Sequence, residues 1–261
     1  MIKIKTPEHF NLRTIMNSGQ CFRIFEPMSN IYDILSLNKW VRVRHDTLAR
    51  VYTFDCSIEE YNSYWRHYFD FDYDYTSCYA IIKNSNDEFL KRAADYAPGM
   101  RILCQSYWET IVSFIISQNN NIPRIKKSIE AFCQKFGKPM TKYDITYYSF
   151  PSKEEVANIK LSDLKDLGLG YRDKYVYEVC TCSPSALVVH NLRNVTGIGP
   201  KVESCIKLFG WHKMDSYPID TWIKKMIDEV YDGHFDATLY EGFEGFVQQL
   251  QFYYYRHLKG K

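Results

Sequence analysis

The stretch at residues 194–205, NVTGIGPKVESC, sets a lysine directly behind two glycines and a proline. A lysine is ordinarily a solvated surface charge. Here Gly197 and Gly199 permit a tight hairpin, and Pro200 suits the first turn of a helix. The unpaired N–H groups of such a helix start point outward and donate to an anion such as phosphate. The positive end of the helix dipole, together with apolar Val202 and Ile206, disfavours a charged Lys201, and a neutral amine is a nucleophile that can form a Schiff base. Nineteen residues later, YPIDTWIKK places Asp220 behind Pro218 at another helix start. As an N-cap its carboxylate stays ionised, and a fixed carboxylate stabilises a developing cation such as an oxocarbenium ion on a sugar. Nucleophilic lysine, fixed carboxylate and phosphate-holding hairpin together predict cleavage of a glycosidic bond on DNA.

These residues need a scaffold, and its elements are written in the periodicity. Over residues 23–54 the runs FRIF, IYDILSL, KWVRVRH and ARVYTF, separated by Asn, Ser or Asp, predict an antiparallel sheet of modest size. From residue 57 the spacing turns helical in SIEEYNSYWRHYF, DEFLKRAADYA and ILCQSYWETIVSFIISQ. The last is apolar on nearly all sides and predicts a buried central helix. Helices are further predicted over IPRIKKSIEAFCQKFG, SKEEVANI, LSDLKDL, YRDKYVYEVCT, IDTWIKKMIDEVY and EGFVQQLQFYYYRHLK, several opening after Ser, Asp or Pro. The expected class is α+β: an N-terminal antiparallel β-sheet domain over residues 1–90, then a mostly α-helical two-part body over residues 91–261.

Composition narrows the function classes. With 261 residues and 46% apolar content the chain fills real cores, and its 22 tyrosines read first as core and surface rings. A net charge of +2 advertises no global basic field, so any DNA contact must come from local arrangement. MIKIKTPEHF holds no signal-peptide core and no run approaches a membrane span, so an intracellular protein is expected. Cys21, Cys56, Cys78, Cys104, Cys133, Cys180, Cys182 and Cys205 lack CxxC spacing and read as reduced, mostly buried residues. No cysteine follows Cys205, which excludes a four-cysteine iron–sulfur loop near the C-terminus. The histidines at 9, 45, 67, 190, 212, 234 and 257 form no close ligand pair and no GxxxxGK[ST] occurs, so neither a metal nor a nucleotide site is predicted.

The segment LRNVTGIGPKVESCIKLFGWHKMDSYPID resembles the helix-hairpin-helix and Gly/Pro/Asp-loop core of base-excision DNA glycosylases, with the lysine found in members that also cut the strand. It puts the helix-hairpin-helix at about 191–210 and the loop at about 211–221. NSGQCFR (17–23), SQNNNIPRI (117–125) and LGLGYRDKYV (167–176) resemble the 8-oxoguanine DNA glycosylase family of the eukaryotic type, in the same order. The resemblance implies that Lys201 attacks C1′ of the lesion nucleotide while Asp220 stabilises the transition state and helps later proton transfers. It implies that the Gly19 carbonyl accepts the N7 hydrogen that 8-oxoguanine has and guanine lacks, a discrimination of about 1–3 kcal/mol. Gln248 and Phe252 match the base-edge reader and stacking ring, with Cys205 on the other face of the flipped base. A base inside a duplex must be extruded before its sugar can be attacked. Asn119 and Tyr171 match the plug and wedge, and Arg124 and Arg172 match the pair that reads the orphaned cytosine.

The partner so implied is double-stranded DNA containing oxidised guanine, with no membrane, and the chain is expected to act as a monomer. No cofactor is required, although the resemblance implies a structural monovalent cation held by hairpin carbonyls. Two residues beyond the aspartate, animal and fungal members usually carry histidine; this chain has Trp222, which either contacts DNA or packs in the core. The short N-terminal sheet is similar to that of compact prokaryotic members, without nuclear or mitochondrial targeting, so a location in the cytoplasm or nucleoid of a prokaryote is expected. Two other readings remain open at this point: a helix-hairpin-helix glycosylase for another damaged base, and a non-catalytic DNA-binding module.

Overall fold

Alternating apolar and polar residues build the sheet, and the computed structural model, which describes residues 1–188 and 191–260, adds a strand to it. Val189, His190 and Lys261 lie outside the described residues. The strands are β1 (Ile2–Lys5), β2 (Ile24–Met28), β3 (Ile31–Ser36), β4 (Lys39–Asp46) and β5 (Val51–Phe54). Their order is β1-β5-β4-β3-β2, antiparallel throughout. IKIK, read above only as lacking a signal core, is the edge strand β1, paired from Ile2 to Phe54 through Lys5 to Val51. One face of the sheet packs Ile34, Val41, Val43 and Phe54 against Leu12 and Ile15 of α1 (Leu12–Asn17), and against Trp65 and Phe69.

The other face is also covered. Asp33, fully buried on β3, takes both ends of the Arg42 fork at 2.7 Å each. Over it lies a second hairpin, β6 (Pro139–Lys142) and β7 (Ile145–Tyr148), whose Tyr147 stacks on Phe25. The sequence reading placed no strand there. The turn residues Tyr143 and Asp144 both have positive φ, 54° and 58°, where Asn-Gly is the usual signal, so the hairpin carries no recognisable turn dipeptide.

Ahead of that hairpin run α2 (Ile58–Glu60) and α3 (Arg66–Tyr68), joined by a π-helical turn over Tyr61–Trp65, then α4 (Tyr75–Asn84), α5 (Glu88–Tyr96), α6 (Tyr107–Ser117) and α7 (Ile122–Phe136). After it come α8 (Asp173–Thr181), α9 (Pro200–Gly210), α10 (Thr221–Val230) and α11 (Glu244–Leu258). Asp74, Asp87, Ser106, Asn121 and Asp220 cap their helices by accepting first-turn N–H groups. Central α6 is buried from Glu109 to Ile116 and packs against α7, α8 and α9. It starts later than expected. Residues 102–106 stay extended because their amides are claimed elsewhere, Leu103 by the Gln20 side chain (2.8 Å) and Cys104 by Tyr68 O (3.0 Å).

Two other expected helices change character. SKEEVANI runs as turns, with Ser152 and Glu155 exchanging side-chain and backbone hydrogen bonds, and LSDLKDL is a 3-10 helix ended by Gly168 at φ 71°. Among the described residues, the first arm of the helix-hairpin-helix contains the 3-10 turn Leu192–Asn194, and the second is the full helix α9. Among the described residues no helix is long and apolar enough to cross a membrane.

Candidate active site

Lys201 is the second residue of α9 and Asp220 the N-cap of α10, so both side chains leave helix starts. Asp220 Oδ1 accepts from the N–H groups of Trp222 (2.9 Å) and Ile223 (2.8 Å), which holds one oxygen and leaves the other for the site. Lys201 is half-buried, and beside Val202, which lines the same groove, it has an apolar neighbour that the sequence did not show. Its ammonium lies over the Phe114 ring of α6, 5.3 Å from the centroid. The two residues stand in the wall between two spaces. Outside is a groove of about 790 Å³ lined also by Asn119, Tyr171, Gly199, Trp222 and Lys224. Inside is a pocket of about 40 Å³ lined by Gly19, Phe114, Cys205, Gln248 and Phe252.

The inner pocket unites the four residues the sequence linked to the lesion base. Gly19 has φ 80°, and its neighbours are pinned: Gln249 donates to Ser18 O (2.6 Å) and Gln105 to Gln20 O (2.7 Å). Among the described residues nothing donates to the carbonyl of Gly19 itself. Gln248 is buried with Oε1 unpartnered, whereas Gln249 and Gln251 on the same helix are engaged. An unpaired buried acceptor is costly unless a ligand satisfies it. Burial pushes the Cys205 thiol up, with Lys201 drawing it partly back, so Cys205 is a neutral thiol at the pocket wall. At about 40 Å³ the space is too small for a purine, and Gly19, Phe114, Lys201, Asp220 and Phe252 also face an adjoining cavity of about 450 Å³. The Phe252 ring sits 3.2 Å from where a Gly19 Cβ would stand.

The groove edge is built by the NNN segment. Asn119 is exposed with φ 44°, a left-handed conformation asparagine tolerates. Tyr171 is 52% exposed beside it, and Arg124 is exposed with no side-chain partner among the described residues. Arg172 differs from Arg124. It is buried, and it donates through Nε to Gln118 O (2.6 Å), Nη1 to Leu169 O (3.0 Å) and Nη2 to Asn119 O (2.7 Å). Two of its five donors therefore hold the Asn119 loop, a third holds Leu169, and two N–H groups are left without a protein partner. Arg172→Ala is expected to cost about 3 kcal/mol of stability, read by thermal denaturation. It should also weaken DNA engagement opposite every base, whereas Arg124→Ala should change only the ranking among opposite bases.

Two family models match consecutive parts of the chain: the 8-oxoguanine DNA glycosylase N-terminal domain over residues 2–111 and the HhH-GPD superfamily of base excision DNA repair proteins over residues 112–238. The N-glycosylase/DNA lyase of Saccharomyces cerevisiae is 30% identical over 258 residues, spanning 84% of this chain and 68% of that protein. This chain belongs to the 8-oxoguanine DNA glycosylase/lyase family. Among solved structures, MBOgg1 in complex with a low-affinity DNA ligand superposes with a TM-score of 0.90 at 31% identity, covering 99% of this chain and 96% of that one. The Clostridium acetobutylicum 8-oxoguanine glycosylase/lyase, bound to duplex DNA with cytosine opposite 8-oxoguanine, gives 0.86 at 29% identity over 98% and 95% of the chains. The family's two-part, sheet-plus-helix fold is the α+β architecture described above.

Within this family site the two hairpin glycines differ. Gly197 has φ 90°, and an added Cβ would lie 2.5 Å from Tyr175 Cγ, while Gly199 is extended and open. Gly197→Ala is expected to cost about 2–4 kcal/mol, a melting-temperature drop of about 5–15 °C, and Gly199→Ala almost nothing. The Gly197 carbonyl accepts from Gln118 Nε2 (2.9 Å) and the Gly199 carbonyl from Glu203 N–H (3.0 Å). Each of those two oxygens accepts one hydrogen bond and keeps a second lone pair.

Gln118 ties the Asn119 loop to the hairpin and went unnoticed in the sequence, as did Phe114 and the Gln20 and Gln249 struts. Only their places on α6, α11 and the NSGQ turn could have hinted at them. Trp222 is half-buried, meeting Tyr255 edge-on at 6.3 Å while also lining the groove. Apart from this site, Asp70, Cys104 and His212 converge. His212 Nε2 lies 3.1 Å from Asp70 and 3.3 Å from Ile102 O, and Tyr75 donates to the same carboxylate, so hydrogen bonds account for the trio.

Proposed function

We propose that this chain removes 8-oxoguanine from duplex DNA, preferentially opposite cytosine, and then cleaves the strand by β-elimination. The observation that carries the reading is the position of Lys201 and Asp220 in the wall between a DNA-sized groove and a pocket bearing two unsatisfied acceptors, Gly19 O and Gln248 Oε1. Hairpin amides ahead of Glu203, with Lys224, take phosphates, and the lesion nucleotide turns out of the duplex past Asn119 and Tyr171. The base lies between the Phe252 ring and the Cys205 thiol. The N7 hydrogen of 8-oxoguanine donates to Gly19 O. Guanine has only a lone pair there and would leave that carbonyl facing another acceptor.

Lys201 Nζ attacks C1′ as the glycosidic bond breaks, and its electron pair leaves with the base. Asp220 stabilises the positive charge that develops on the sugar. The amine loses its proton, the ring opens to an imine, and removal of a C2′ proton expels the 3′ phosphate. The displaced base is a suitable carrier for that proton. The amine itself carries the substrate, so the chemistry needs no cofactor. Arg124, with the two remaining donors of Arg172, faces the orphaned cytosine, whose O2 and N3 accept. We place this work in the nucleoid of a prokaryotic cell, with the protein acting as a monomer.

The test is borohydride trapping on duplexes with one 8-oxoguanine opposite each of the four bases. A covalent adduct strongest opposite cytosine is expected. Equal trapping opposite all four would remove the cytosine preference. Tight binding with neither adduct nor base release would leave only a DNA-binding module.

A further inference from the structure

Gln248, Phe252 and Arg256 follow one another at four-residue spacing on one face of α11. Four residues of helix advance about 6 Å. The face thus runs outward from the back of the base pocket, through the ring in its wall, to the guanidinium at its mouth. Arg256 is absent from the inner pocket but lines the adjoining cavity of about 450 Å³ together with Asn120, Asn121, Lys201, Asp220 and Trp222. The guanidinium sits 5.2 Å over the Phe252 ring, and its Nη1 is 3.8 Å from where a Gly19 Cβ would stand.

Its bonding sets it apart. The other buried or half-buried arginines have partners inside the protein: Arg23 on Glu130, Arg42 on Asp33, Arg101 on His9 O and Asp70 O, Arg172 on three carbonyls, and Arg44 at 3.9 Å from Asp55. Arg256 is half-buried, yet among the described residues its guanidinium makes no hydrogen bond and no ion pair within 4.0 Å. Asp220 acts on it only across the cavity. A partly desolvated cation without a partner is costly unless an anion comes to it. Trp222, which also lines this cavity, brings no charge, so its only charged side chains besides Arg256 are Lys201 and Asp220 among the described residues.

Building on the function proposed above, we propose that Arg256 is a positioning residue that clamps a phosphate flanking the extruded nucleotide. A phosphodiester offers two oxygens to the planar fork, and the base-to-phosphate order of a nucleotide matches the order Gln248, Phe252, Arg256 along the helix. Drawing the guanidinium to a phosphate also lifts it from the Phe252 ring.

The experiment compares wild type, Arg256→Gln and Arg256→Lys on an 8-oxoguanine duplex, unmodified or carrying an uncharged methylphosphonate at the lesion's 5′ or 3′ phosphate. Binding across salt concentrations and single-turnover base release are both measured. Arg256→Gln is expected to weaken binding about tenfold and to lower the slope of log K against log salt by about one. Methylphosphonate at one flank should cost wild type about tenfold and Arg256→Gln nothing further, with Arg256→Lys recovering part of the affinity. Equal methylphosphonate losses in wild type and Arg256→Gln, or an unchanged salt slope, would overturn the clamp. Failure of the glycosylase reading itself looks different: wild type then releases no base, whatever residue stands at 256.

Discussion

Lys201→Gln is expected to end covalent trapping completely and to slow base release by about 10⁴-fold or more, the scale on which loss of a catalytic nucleophile is felt. That corresponds to about 5.5 kcal/mol of transition-state stabilisation. The fold should hardly notice. Lys201 is half-buried over Phe114 and forms no ion pair among the described residues, so glutamine keeps its stem and forfeits only the cation–π contact, worth about 0.5–1 kcal/mol. Trapping should vanish on the lesion duplex and equally on a duplex with a preformed abasic site, since both routes run through the same amine. Persistent adduct in the variant would move the nucleophile elsewhere.

Asp220→Asn should separate chemistry from structure. The Oδ1 atom that caps α10 survives in asparagine, and Asn and Asp are nearly equivalent N-caps, so the melting temperature should change little. What disappears is the negative charge facing the sugar. Removal of a preorganised group aimed at developing charge costs about 10²–10³-fold in rate, or about 3–4 kcal/mol. Because imine formation on an abasic aldehyde develops no oxocarbenium ion, this variant should still trap on a preformed abasic site while failing on 8-oxoguanine. Lys201→Gln fails on both. Asp220→Ala adds loss of the cap, about 1 kcal/mol, which calorimetry would register. A fall in base release smaller than about threefold in Asp220→Asn would remove the carboxylate from the transition state.

Read in order, the sequence yielded what local chemistry controls. Strand alternation, helical stripes and Ser, Asp and Asn caps act over a few residues, so the sheet over 23–54 and most helices were visible, as were the hairpin glycines, Lys201 and Asp220. Where the reading failed, a distant partner had outbid the local preference. Residues 102–106 surrendered helical bonds to Gln20 and Tyr68, and the β6–β7 hairpin is held by aromatic packing on Phe25 and Trp40 with an atypical turn.

Residue types, spacing and the motifs at 17–23, 117–125, 167–176 and 192–220 were thus enough to identify the chemistry and the family, because nucleophile, cap and hairpin are local devices whose geometry follows from their neighbours in the chain. Only the tertiary structure decided which donors and acceptors remain unspent. It turned Arg172 inward onto three carbonyls, left Gly19 O and Gln248 Oε1 open, lined the pocket with Phe252 and set an unpartnered Arg256 at its mouth. Hydrogen-bond capacity is allotted among groups far apart in sequence, and that allotment exists only once the chain has folded.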